Sequence, residues 1–369
     1  RTLAGGPFPV DWQGDFTGSV RGPGGLLTDW HVDDGQLTFR DAHVPGAVAR
    51  ASVHGALDIL VPSNAKFHSL NVNLATLDLR TIQYLFPNFP RLAGTMSGTA
   101  TLDSSWLDTR FHNADVVHHD GVNPTSRFTG DGRVTQAPKF IAFDVSLQAQ
   151  PISFTTFARS YPGLKFRGSF SGPMRIRGTM DDLDVTASLS GDAGSMAVNG
   201  NFDLDTLSGL SGRGTASVAD LDVQALLESE TLPSTSLAGR AAFDVHGDSL
   251  ATLAGSLNID LDQSRVEPVD VTGASAALTF GNGLVHVDSL SIASSAAHVT
   301  ARGALGLAPT ASDSLRYTVA VDSLGGLRPW LLPRTVGDSA LPDSAVRLTE
   351  RDLERRQVRD SLDGTVRTE

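Results

Sequence analysis

Few residues in this chain have the types and spacing that catalysis or metal binding requires. His118-His119-Asp120, in "VVHHDG", could donate two imidazoles and a carboxylate to a metal. Two ring ligands do not close a zinc shell, however, and the Asp-Gly that follows reads as a hydrated turn. "HVDDG" (His31–Gly35) has the Asp-Gly signature of a turn between strands, and "DVHGD" (244–248) sets His246 on a polar face. The acid pairs Asp33-Asp34 and Asp181-Asp182 read as hairpin turns. Two carboxylates do acid/base work only when they face each other across a cleft. No G-x-S-x-G elbow, P-loop, HExxH pair or EF-hand loop occurs, and with no cysteine there is neither a disulfide framework nor a thiolate metal site. The expectation is a protein that is not an enzyme, with no catalytic residue, metal or cofactor.

Composition points the same way. The 369 residues include 37 Gly and 18 Pro, carry a formal net charge of −12 and are 40% hydrophobic. That is enough apolar surface to fold, and the acidic balance argues against nucleic acid as a partner, since phosphate backbones require basic patches. No run of about 18 apolar residues is present to span a membrane, and no signal peptide opens the sequence. The first residues, "RTLAGG", and the last, "DSLDGTVRTE", which read as a strand beginning, are expected of a piece of a longer protein.

The elements that position these residues are strands. From Phe166 to Met180 the even positions are Phe166, Gly168, Phe170, Gly172, Met174, Ile176, Gly178 and Met180, and the odd ones include Arg167, Arg175 and Arg177. Period-2 alternation of this kind gives one apolar and one polar face. Met196, Val198, Gly200, Phe202 and Leu204 alternate in the same way, as do stretches at 49–59, 92–102, 237–247, 299–307 and 315–321. Asn282-Gly283 between two such runs is a hairpin signal. Phe166, Phe170, Met174, Ile176 and Met180 are expected to point to the concave interior, and Arg167, Arg175 and Arg177 to solvent.

A longer period overlies the alternation. Residues 77–98, 152–172 and 221–247 align. Each passes from a strand end into a short helical turn with apolar residues three apart (Leu79/Ile82, Phe154/Phe157, Val223/Leu226), then a Pro, then a long strand. Helices are expected near 79–86, 154–161 and 222–230. The units are a partial N-terminal β repeat at 1–76, β repeats at 77–151, 152–220 and 221–320, and a truncated repeat at 321–369. The last carries a charged helical or disordered insertion around 344–362. Repeats of this size stack into a quasi-one-dimensional rod.

The segment "FRGSFSGPMRIRGTMDDLDVTASLSGDAGSMAVNGNFDLD" (166–205) resembles the repeat of the AsmA-like and TamB proteins of diderm bacteria, and "LDLRTIQYLFPNFPRLAGTMSGTATL" (77–102) is similar to its helical cap and following strand. The resemblance covers most of residues 70–330. It implies a mainly β fold, an elongated antiparallel repeat sheet curled into a taco-like groove with short connecting helices. It further implies a periplasmic protein of the cell envelope, anchored to the inner membrane, that conducts phospholipid to the outer membrane. Both membranes would be reached through segments not in this chain. The groove lining would be Met96, Phe166, Phe170, Met174, Ile176, Met180, Met196, Val198, Phe202, Leu204 and Phe243. In a filled core the same side chains would simply be core. Gly94, Gly98, Gly168, Gly172, Gly178, Gly239 and Gly247 on that face either open a lumen or only permit curvature. Two other functions fit the pattern: an outer-membrane protein assembly factor working with a β-barrel partner through the sheet edge, or a secreted β-solenoid adhesin or polysaccharide-binding protein. The unit of about 70 residues is long for a solenoid rung.

Overall fold

The structure is a computed structural model that describes residues 12–22, 30–59, 65–85, 92–137, 140–156, 166–204, 210–249, 251–307, 314–323 and 362–366. With 74% strand and 5% helix it is mainly β, and its strands form one long, curled antiparallel sheet. β1 (Trp12–Thr17) and β2 (Val20–Arg21) both pair with β3 (Trp30–Asp41). The chain then meanders through β4 (Val48–Asp58), β5 (Lys66–Asp78), β6 (Thr95–Ser105), β7 (Asp108–His119), β8 (Ser126–Ala137) and β9 (Phe140–Ser153). β10 (Ser169–Thr179), β11 (Asp182–Gly191), β12 (Gly194–Asp203), β13 (Ser211–Leu221) and β14 (Thr235–His246) follow. β15 (Ala254–Leu261) and the short β16 (Ser264–Val266) together bridge β14 to β17 (Val269–Gly281). β18 (Leu284–Ser294), β19 (Ala297–Gly306), β20 (Ser314–Val321) and β21 (Leu362–Val366) complete the sheet. At about 4.8 Å per strand, β3 to β20 span roughly 80 Å. Every described pairing is antiparallel, which is not how the parallel rungs of a β-solenoid stack.

Two helices sit at one rim, α1 (Leu79–Leu85) after β5 and α2 (Val223–Leu227) after β13. Phe154–Thr156, after β9, are also helical. Four strands therefore separate each helical connector from the next. The apolar spacing expected to bury these connectors does so at Leu79 and Leu226. Asp222 caps α2 by accepting from the backbone N–H of Gln224 (2.9 Å) and Ala225 (3.4 Å). Among the described residues no helix is long and apolar enough to cross a membrane.

Several local expectations need correction. Residues 166–168 are not strand: β10 begins at Ser169, because Gly168 turns the chain at φ +82° and the Arg167 N–H donates to the Leu226 carbonyl beside α2. Phe166 is consequently 48% exposed, and Arg167 is half-buried rather than in solvent. Asp33-Asp34 is not a turn; it is a bulge inside the continuous β3, where the register shifts between Val32 and Gly35. The reason is tertiary, since the Asp33 N–H donates to the Ser19 carbonyl and its carboxylate accepts from the Arg21 guanidinium (2.6 Å), so β2 and the residue before it occupy those groups. Asn282-Gly283 does form the hairpin turn, with both residues at positive φ, and Leu362–Val366 is a strand paired with β20. Most of the charged segment 344–362 lies outside the described residues, as do Phe157 and the start of the fourth repeat beyond Ser323.

Candidate functional site

The register aligns apolar positions from strand to strand. One ladder runs Leu37–Ala51–Leu74–Gly98–Val116–Phe128–Ala149–Gly172 through β3 to β10. It continues on the same face as Leu189–Met196–Val218–Gly239–Leu261–Ala274–Ile292–Val299–Val319. A second runs Met174–Ala187–Val198–Ala216–Ala241–Ile259–Ala276, and a third Ile176–Val185–Gly200–Gly214–Phe243–Leu257–Leu278. These ladders hold no charged residue.

Burial across this face is uneven. On β10, Phe170 near the helical rim is 1% exposed and Met180, in the hairpin at the other end, is also buried, while Met174 and Ile176 between them are half-buried. β11 repeats the pattern with Leu189 and Leu183 buried and Ala187 and Val185 half-buried. At the helical rim Ala149, Ile152, Phe170, Leu189, Leu221 and Leu226 form one packed cluster, with Phe154 against Phe170 at a ring-centroid distance of 5.2 Å. The connectors thus cover one rim, and the centre of the face has no second layer among the described residues.

Most of the residues expected to line a groove share this face. Phe170, Met174, Ile176, Met196, Val198, Phe202 and Phe243 lie on it by register, as does Met96 opposite Leu77 and His118. Leu204 just follows β12, where its N–H donates to the Met180 carbonyl. Phe166 stands apart, for the reason given above. The rings of Phe202 and Phe243 are in contact at 6.0 Å, Phe202 lying over Gly212. Sequence reasoning passed over Leu147, Val145, Ala187, Val185, Ala216 and Ala241, although the same period-2 alternation marks them in β9, β11, β13 and β14. Gly172 has a curvature role: at φ +150° a side chain there would collide with the Ser188 carbonyl oxygen of β11.

The opposite face is polar. Arg175 and Arg177 share Asp144 across β9 and β10 (3.4 and 3.2 Å), Arg133 grips both oxygens of Asp108, and Arg127 those of Asp115. The guanidinium hydrogen bonds hold the carboxyls of Asp108, Asp115 and Asp144 below the usual range. A hollow of about 1070 Å³ lies across β8 to β15 and is bordered by Met174, Ala187, Val198, Ala216 and Ala241 of the second ladder. Thr186, Ser188, Asn199, Ser217 and Arg240, which alternate with them, also border it. A smaller hollow is bordered by Ser52, Val53, His54, Asn71, Val72 and Asn73.

His118 and His119 point to opposite faces, so they cannot grip one ion together. The His118 ring is buried and its Nε2 donates to the Ala93 carbonyl (2.8 Å), whereas His119 is exposed. Asp120 closes the turn by accepting from the N–H groups of Val122 and Asn123. Comparison with family models, with curated proteins and with solved structures gives no match.

Proposed function

We propose that this chain is a segment of an AsmA-like, TamB-type envelope protein that conducts phospholipid between the inner and outer membranes along its apolar sheet face. One observation carries the reading. The ladders continue unbroken and uncharged along the stacking direction, and their central rows are half-buried while both ends are closed around β10 and β11. A single-layer sheet must cover such a face with a second layer, by curling, or with an apolar occupant. An acyl chain fits because it loses no hydrogen bonds when it slides along Met174, Ala187, Val198, Ala216 and Ala241. Arg175, Arg177 and Arg213 stay on the other face and never meet it.

The test is Ile176→Asp in the full-length protein, with co-purifying phospholipid measured by mass spectrometry beside the melting temperature. An unpaired carboxylate costs several kcal/mol if fully desolvated, and little where it keeps its water. Lost lipid with near-native melting supports the conduit. Outright unfolding, or a wild-type chain that purifies without lipid, overturns it, and the lipid-free result turns attention to assembly of outer-membrane proteins through the sheet edge.

A further inference from the structure

On the polar face the register sets Arg302 of β19 directly opposite Arg316 of β20. Both side chains are exposed. Directly opposed residues hold their Cβ atoms about 4.5–5.5 Å apart, where like charges destabilise the pairing. Among the described residues the other such pair, Arg110 opposite Arg133, is relieved because Asp108 takes the Arg133 guanidinium bidentately. Among the described residues Arg302 and Arg316 have no carboxylate partner. Asp288, brought opposite Arg302 by the bulge in β18, accepts from the Thr279 hydroxyl on β17 (2.7 Å), and Asp363 of β21 stands opposite Thr318 rather than Arg316. The arrangement is notable in a chain with a net charge of −12.

We propose that Arg302 and Arg316 form a binding site for a phosphate group. Two guanidinium groups on adjacent strands offer paired N–H donors whose planar geometry matches phosphate oxygens, and an anion between them converts their repulsion into shared attraction. The hydroxyl of Thr300, two residues from Arg302 on the same face and opposite Thr318, adds a neighbouring donor. The acidic remainder of the surface disfavours general polyanion binding, so recognition is confined to this pair. A soluble phosphate and a phospholipid headgroup present the same chemistry. The site lies on the face opposite the apolar ladders and does not depend on the conduit reading.

The experiment follows the arginine Nε–Hε signals of the isotope-labelled full chain during titration with inorganic phosphate at constant ionic strength. A second titration uses nanodiscs of phosphatidylglycerol. The wild type should show saturable shifts at two arginines, and Arg302→Gln or Arg316→Gln should weaken binding about tenfold or more, as expected for a lost charged hydrogen bond. Arg213→Gln, also on the polar face, should change nothing. Phosphate should raise the melting temperature of the wild type and of neither glutamine variant. A response to phosphate assigns a soluble ligand, and a response to nanodiscs alone assigns a headgroup. No saturable response in either titration, or one that survives Arg316→Gln, overturns the proposal.

Discussion

Truncating two side chains on one strand separates an open groove from a closed core. Phe170 and Met174 lie four residues apart on the apolar face of β10, and β9 and β11 flank both. Phe170 is packed against Phe154 in the rim cluster and is 1% exposed, so Phe170→Ala leaves a cavity and should cost about 3–5 kcal/mol. Met174 is half-buried. If its open side faces water or a mobile acyl chain, Met174→Ala loses only part of the transfer free energy and leaves no empty cavity, so it should cost about 1 kcal/mol. A rod of repeats need not melt in one step, so a global melting curve is a poor gauge. Native-state hydrogen exchange of the β10 and β11 amides reads the local loss directly. A Met174→Ala cost equal to that of Phe170→Ala would mean that the centre of the face is sealed. The conduit would then have no space for its cargo.

Other outcomes follow from single contacts. Asp222 is partly desolvated, which alone would raise its pKa, yet hydrogen bonds from the Thr235 N–H, Ser234 and the first turn of α2 leave the carboxyl below its ordinary value. Asp222→Ala should cost about 1–2 kcal/mol through lost capping while Asp222→Asn keeps most of it, read as exchange protection of α2; equal losses would contradict the capping role. For Asp108, Asp115 and Asp144 the folded pKa is lowered, so their contribution is present above the unfolded value of about 3.9 and is lost as pH falls through the folded values. The melting temperature should therefore drop below about pH 4, and 1 M salt should shrink that limb because the pairs are exposed. If replacing all three with Asn leaves the acid limb unchanged, these pairs are not its source.

Much of the fold is legible because alternation is local. The period-2 pattern marks β10, β12, β14, β19 and β20, and the apolar residues three apart place α1 and α2. What misled was also local pattern. The alternation runs through Phe166 and Arg167, but the chain there is committed to α2 by the hydrogen bond to Leu226, a contact between repeats that no neighbouring residue announces. "HVDDG" has the composition of a turn, yet Ser19 and Arg21, at the start of and within β2's hairpin arm, partner Asp33, and a bulged strand results. His118 and His119 look like a ligand pair in sequence, whereas adjacent residues on a strand point to opposite faces.

The sense in which each face bends is harder to read. Alternation says which residues share a face; it does not say which face is hollow, since curvature accumulates from twist, bulges and glycines over many strands. Register shifts in the β3–β4, β4–β5, β5–β6, β6–β7 and β7–β8 pairings, and the close approach at Gly172, bend this sheet without marking the sequence by any fixed spacing. The hollow over β8 to β15 is one product of that bending. The apolar face is constrained differently, because water does not solvate continuous uncharged ladders from β3 to β20 without cost. Helical connectors recur only every four strands and cover one rim, where Phe170, Leu221 and Leu226 are buried and the half-buried Met174 packs against them, while Val198 and Ala216 lie outside that cluster and are half-buried. A sheet selected only for stability would gain from larger side chains or a second layer over that central row. Its small and half-buried residues make sense if something apolar passes over them.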